Sequence, residues 1–263
     1  MRYLVFAKLG IKQQMAYKSD LWLNVLGMMI AFVLWIFFWK GIYQGEEKIN
    51  GISINQMINY MAISYALLIP QLHNMRMRHS LNEKVRSGNI IFDLIRPGNF
   101  ILKIFFERIG VMAIFFLFLV FPIYGVMTAV ISDYQVDTYR FILFLLMSIV
   151  SIIIGFLINI NFCILMFRFV ETSGTWVIFN ALTFFFGGMP FPIWIYPEKV
   201  QVIISFLPFK YLYYVPTSIY NGTIVRERIF SEVYIGVAWI LILFIVSIIL
   251  WRKLLKKIIL QGG

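Results

Sequence analysis

Charge is scarce in this chain. Only 13% of its residues are Asp, Glu, Lys or Arg, against roughly 25% in a soluble globular domain. Hydrophobic residues make up 61% and aromatics 18%, and the mean hydropathy is +0.85. An ordinary soluble domain is excluded. Cysteine is scarcer still: Cys163, inside an apolar run, stands alone. That excludes a disulfide framework or a cysteine metal site and leaves a small buried hydrophobe. The two histidines, His73 and His79, fall near one end of an apolar run and read as headgroup-level polar groups. A P-loop of the form G-x-x-x-x-G-K-S/T is missing, as are H-E-x-x-H and the G-x-S-x-G elbow. Long polar sequence is missing too. The longest such stretch, 76–103, is too short and too poor in apolar residues to build its own core. A single membrane domain, 1–263, is expected.

Apolar runs of about 20 residues read as transmembrane helices, and the sequence offers six, at 21–43, 54–75, 105–131, 140–167, 173–195 and 231–251. The first is too long for the apolar core of a cleaved signal, so it reads as a retained span. Six spans place both ends of the chain on one side, together with the 76–104 and 168–172 loops. That side collects 16 of the 23 Lys and Arg and 5 of the 12 acids, so the whole formal charge of +11 lies on it. The positive-inside rule makes it the cytoplasmic face. These basic residues flank the spans and form no stripe interleaved with aromatics, so no nucleic-acid partner is expected.

Inside the spans no ionisable group is expected, because Lys40, Glu107, Arg108 and Arg168 fall near predicted ends. A proton- or sodium-driven carrier would be short of coupling groups. The deep polar residues are asparagines. Of these, Asn159, Asn161 and Asn180 are candidates for a cargo path, against the commoner use of such residues in interhelical hydrogen bonds.

Three segments lie outside the spans. In 1–20, Leu4, Ala7, Ile11 and Met15 share a helical face while Lys8, Lys12 and Lys18 reach for headgroups, which fits an interfacial helix lying on lipid. In 76–104, Leu81 and Val85 share one face and Ile91 and Ile95 another. Gly88 lies between these pieces, and Pro97 with Gly98 ends the second. The expectation is an amphipathic helix-turn-helix carrying both signs of charge on Glu83, Lys84, Arg86, Asp93 and Arg96. Mixed charge favours a protein partner over anionic lipid. In 196–229, apolar pieces far too short to span are broken by Pro208 and Pro216, which indicates re-entrant or interfacial chain. Non-helical backbone at membrane depth needs a packed neighbour or a cavity.

With these segments on the page, the chain resembles the ABC type-2 permeases, the membrane subunits of a class of ATP-binding-cassette exporters. The resemblance runs over essentially the whole length. It rests on the N-terminal helix, the six spans, "E-x-x-R-x-G…L-x-R-P" at Glu83, Arg86, Gly88, Leu94, Arg96 and Pro97, and the proline-broken stretch before the last span. It implies an all-α membrane fold in which Glu83, Lys84, Arg86, Gly88, Asp93, Arg96 and Pro97 form a coupling segment that docks on a separate ATPase, with two ATPase copies per complex. It further implies a second permease subunit, identical or paralogous, and a bacterial plasma membrane with both termini cytoplasmic. ATP and Mg2+ would bind the ATPase, and this chain would be non-catalytic and bind no cofactor. Pro208, Tyr211, Tyr214 and Pro216 would form an outer re-entrant gate for a drug, peptide or lipid cargo. The competing readings are a channel or secondary carrier not driven by ATP, and an integral membrane enzyme. The second of these lacks the expected His/Asp/Glu cluster.

Overall fold

The computed structural model describes residues 2–16, 18–49, 51–95, 99–114, 116, 120–131, 137–166, 173–189 and 191–262. In chain order the helices are α1 Arg2–Ala16, α2 Lys18–Tyr43, α3 Ile54–Arg86, α4 Ile90–Ile95, α5 Phe100–Ile114 and α6 Phe121–Ile131. They continue with α7 Thr138–Met166, α8 Ser173–Gly187, α9 Glu198–Ser205, α10 Tyr214–Tyr220 and α11 Arg226–Gly262. A two-stranded hairpin, β1 Lys48–Ile49 and β2 Ile52–Ser53, precedes α3.

The bundle is organised around α3. Its start is set by a reciprocal cap: the Gln56 amide N–H donates to Ser53 Oγ at 3.2 Å, and the Ser53 N–H donates to Gln56 Oε1 at 3.0 Å, the capping-box pattern. From there 33 residues run to Arg86, a rod of about 50 Å. Its first half, from Met57 to Gln71, is buried without a break and packs against α2, α5, α6, α7 and α10. A helix walled by protein has no need to be apolar all round, which is why Asn59, Ser64 and Gln71 can sit there.

Lipid-like surface falls to other helices. Among the described residues three are long and apolar enough to cross a membrane: Trp22–Tyr43 within α2, Thr138–Met166, and Arg226–Leu255 within α11. The apolar window of α7 is 61% buried and that of α11 only 11%, so α7 is a core helix and α11 a peripheral one.

The structure redraws two of the expected segments and adds detail to two more. The span at 54–75 and the first arm of the 76–104 segment form one continuous helix, which carries Pro70 inside it and ends just before Gly88. Within the expected span 105–131 the structure describes α5 and α6, with Phe116 and Val120 between them in π-helical geometry; residues 115 and 117–119 lie outside the described residues. The expected span 173–195 ends at Gly187. There Gly188 takes φ +81° and the Met189 N–H donates to Phe184 O at 3.0 Å, a glycine-terminated helix end. Its 15 residues reach about 22 Å, short of the roughly 30 Å hydrocarbon core.

The helix α1 packs backbone to backbone on α5: a Cβ at Gly10 would strike the Glu107 carbonyl, and one at Gly110 would meet Ala7 Cα at 3.1 Å. Tyr3 stacks on Phe106 at 5.4 Å, and the Lys103 ammonium lies 5.3 Å from the Phe6 ring centre. Leu4 and Met15 remain exposed.

Candidate functional site

Two regions at opposite ends of α3 carry the chemistry singled out above. The first is the irregular chain between α8 and α11. It folds as a 3-10 turn Ile193–Ile195, α9, a second 3-10 turn Pro208–Tyr211, and α10. Pro208 opens the second 3-10 turn, where a fixed φ and absent N–H are compatible with the fold. Pro216 lies in the first turn of α10 for the same reason. From Pro208 on the segment is embedded in protein, whereas Val202, Ile203 and Phe206 before it are exposed: Pro208, Tyr211, Leu212, Tyr213 and 215–220 are buried, and Tyr214 packs its ring 5.9 Å from Trp194.

Specific bonds tie the segment to α3 and α7. Tyr60 OH donates to Gly188 O at 2.7 Å, Ser64 and Thr217 hydroxyls meet at 3.4 Å, and Asn221 Nδ2 donates to Gln56 O at 3.1 Å. From α7, Ser151 Oγ donates to Leu212 O at 2.7 Å, and Gln71 Nε2 donates to Ser151 O at 3.2 Å. Arg140 Nη1 donates to Ile224 O at 3.0 Å. The backbone polar groups of a broken segment must find partners, and here side chains of the neighbouring helices supply several.

The same segment holds a charge cluster that the sequence analysis missed. Lys210 Nζ lies 2.9 Å from Glu232 Oε2, and Tyr211 OH donates to that oxygen at 2.7 Å. Burial, and then the hydrogen bond to Glu232, push the Tyr211 hydroxyl well above its ordinary pKa. An acid and a lysine set in separate apolar neighbourhoods were the available signal, but in a charge count the two simply cancel.

The second region is the other end of α3. Glu83 is exposed and Lys84 half-buried. Gly88 lies in the turn to α4 at φ +73°, and the Ile91 N–H donates to Gly88 O at 3.1 Å. Leu81 and Ile90 are buried, while Ile91 and Phe92 are 53% and 65% exposed, so the tip shows an apolar pair beside charge. Sequence reasoning put Ile91 on a face with Ile95 and overlooked Phe92. Arg86 closes α3 and Asp93 lies within α4; Arg96 and Pro97 lie outside the described residues. Past them, Asn99 Oδ1 caps α5, accepting from the Ile101 N–H at 2.9 Å.

Among the described residues the three asparagines make no hydrogen bond to one another. Asn159 Nδ2 donates within α7 to Gly155 O at 2.9 Å, and Asn161 Nδ2 crosses to α11 and Leu243 O at 3.0 Å. Their Oδ1 atoms, and that of Asn180, have no partner among the described residues.

In comparison with known families, the model of the ABC-2 family transporter proteins matches residues 29–262. No curated protein matches the chain.

Proposed function

Because the chain belongs to the ABC-2 transporter family and is thus a membrane permease, we propose that it is the non-catalytic permease subunit of an ATP-driven exporter. In this reading Glu83, Lys84, Arg86 and Gly88, with the exposed Ile91 and Phe92, dock on a separate ATP-binding-cassette subunit, and Asp93, Arg96 and Pro97 complete the docking segment. Two such ATPases bind ATP and Mg2+, and a second permease subunit, identical or paralogous, completes the cargo path. The segment between α8 and α11 is the outer gate, with Pro208, Tyr211, Tyr214 and Pro216 setting its bends and packing. A drug, peptide or lipid is the cargo class. Any cargo contact by Asn159, Asn161 or Asn180 would use their Oδ1 atoms.

One observation carries the proposal. A single helix, α3, bears the docking residues at one end and at the other contacts the gate segment through Gln56, Tyr60 and Ser64. The helix continues through Pro70 from one end to the other, so displacing its docking end has a mechanical route to the far end. Affinity capture of the tagged chain from its own membrane tests the proposal. A soluble P-loop ATPase is expected in near-stoichiometric amount, and a chain captured alone while still folded would favour the channel reading.

The membrane arrangement is tested separately. In a Cys163→Ala background, single cysteines at positions 48 and 200 are expected to react with a membrane-impermeant maleimide from outside intact cells. Cysteines at 83 and 253 are expected to react only after permeabilisation, in a bacterial plasma membrane with both termini inside. Labelling of position 253 from outside would refute six spans.

A further inference from the structure

We propose that Glu232 is a reversible latch: through Lys210 and Tyr211 it holds the broken segment against α11, and it must release before that segment can open. Glu232 lies in the second turn of α11, and its carboxylate is the meeting point of the cluster. Lys210 Nζ donates to Oε1 at 3.0 Å and stands 2.9 Å from Oε2, while the Tyr211 hydroxyl donates to Oε2 at 2.7 Å. Two consecutive residues of the 3-10 turn Pro208–Tyr211 are therefore gripped by one side chain of α11.

The seat around this grip is shaped for it. Gly236, one turn beyond Glu232, leaves room for the Tyr211 ring: a Cβ there would lie 3.0 Å from Val150 Cγ1 and 3.3 Å from Tyr211 Cε1. The ring thus wedges between α7 and α11, with its hydroxyl capped by Glu232. The Lys210 ammonium also lies 5.1 Å from the centre of that ring.

Charge makes the grip strong, and partial exposure makes it reversible. Hydrogen bonds between ionised partners are about twice as strong as neutral ones, and the ties to α3 through Tyr60, Ser64 and Asn221 are all neutral. The lysine side chain is 9% exposed and the glutamate side chain 21%. Separating them leaves a nearly buried ammonium without its partner, a costly state, so the closed arrangement is favoured. The glutamate side chain stays partly exposed in the second turn of α11, so the pair is not sealed within protein. A lock meant to be permanent would be better served by apolar packing, which is often as stable as a buried ion pair.

The latch rests on the reading of this segment as a gate, and the experiment separates the two. A reporter cysteine replaces Leu212, 1% exposed, in a Cys163→Ala background. Its reaction rate with a membrane-impermeant maleimide, applied to each face in turn, measures opening. Glu232→Gln keeps shape and an acceptor while removing the charge, and Lys210→Met removes the cation. Each is expected to raise labelling at least about tenfold, the effect of losing one charge-assisted hydrogen bond. Lys210→Arg, which keeps the charge and donors, is expected to keep the closed rate. Equal labelling in wild type, Glu232→Gln and Lys210→Met overturns the latch. Raised labelling in all three variants, Lys210→Arg included, also overturns it, because any change would then loosen the packing. Raised labelling in the first two with unchanged ATP hydrolysis by the captured complex would establish the latch and remove the segment from the transport cycle.

Discussion

Valine at position 88 is expected to part this permease from its ATPase without unfolding it. A Cβ on Gly88 would meet nothing within 4 Å, so the site is open and the penalty lies wholly in the backbone. At φ +73° a glycine is comfortable, whereas a β-branched residue is a genuine outlier. The turn must then adopt another path, and α4 with Ile91 and Phe92 loses its aim. Asparagine tolerates left-handed backbone, so Gly88→Asn is expected to retain capture of the ATPase while Gly88→Val loses it. Glu83→Lys and Arg86→Glu should act through charge alone. If the segment docks as proposed, each removes a charge-assisted hydrogen bond to the ATPase worth about 1.5–3 kcal/mol, which is at least about tenfold in ATPase recovered. A folded, membrane-inserted chain is the control. Full recovery with Gly88→Val, Glu83→Lys and Arg86→Glu would reduce the segment to a loop.

The second large effect is expected at the crossing of α3 and α7. Gly155 faces Gln71 so closely that a Cβ would overlap the Gln71 amide group. That amide donates to Ser151 O at 3.2 Å, and Ser151 Oγ passes the connection to Leu212 O. Gly155→Leu therefore pushes apart two buried helices and disturbs a hydrogen-bonded chain between them. Overpacking of this kind typically costs about 1–3 kcal/mol, and the lost buried hydrogen bonds add to it. Thermal unfolding in detergent should show a clearly lowered midpoint. The milder Gly155→Ala should be partly rescued by Gln71→Ala, which clears the space, so the double variant is expected to be more stable than the sum of the single effects. An unchanged midpoint for Gly155→Leu would contradict the close approach.

Much of this was legible in the residues. The membrane class followed from missing charge, and the family from the spacing of Glu83, Arg86 and Gly88 together with the broken stretch around Pro208 and Pro216. Helix lengths were harder. Hydropathy marks where chain can meet lipid, so the polar second half of α3 read as a separate amphipathic helix with Leu81 and Val85 on one face, and nothing showed that it continues the span without a break. Gly188 was visible as part of "FGGMPFP", yet the apolar residues after it still read as span, because an apolar count ignores a left-handed helix end. The pairing of α1 with α5 depended on Gly10 and Gly110 meeting across 100 residues of sequence, which no local period displays. The Lys210–Glu232 pair was hidden for the same reason: each residue is ordinary alone, and only the fold brings them within hydrogen-bond distance.

ATP hydrolysis in liposomes carrying the captured complex tests the central claim most directly. It is measured for the ATPase alone, with the wild-type chain, and with the Gly88→Val chain. The account predicts that the wild-type permease changes the hydrolysis rate and that Gly88→Val returns it to that of the isolated ATPase. A rate that is the same in all three preparations would contradict a permease driven by a docked ATPase.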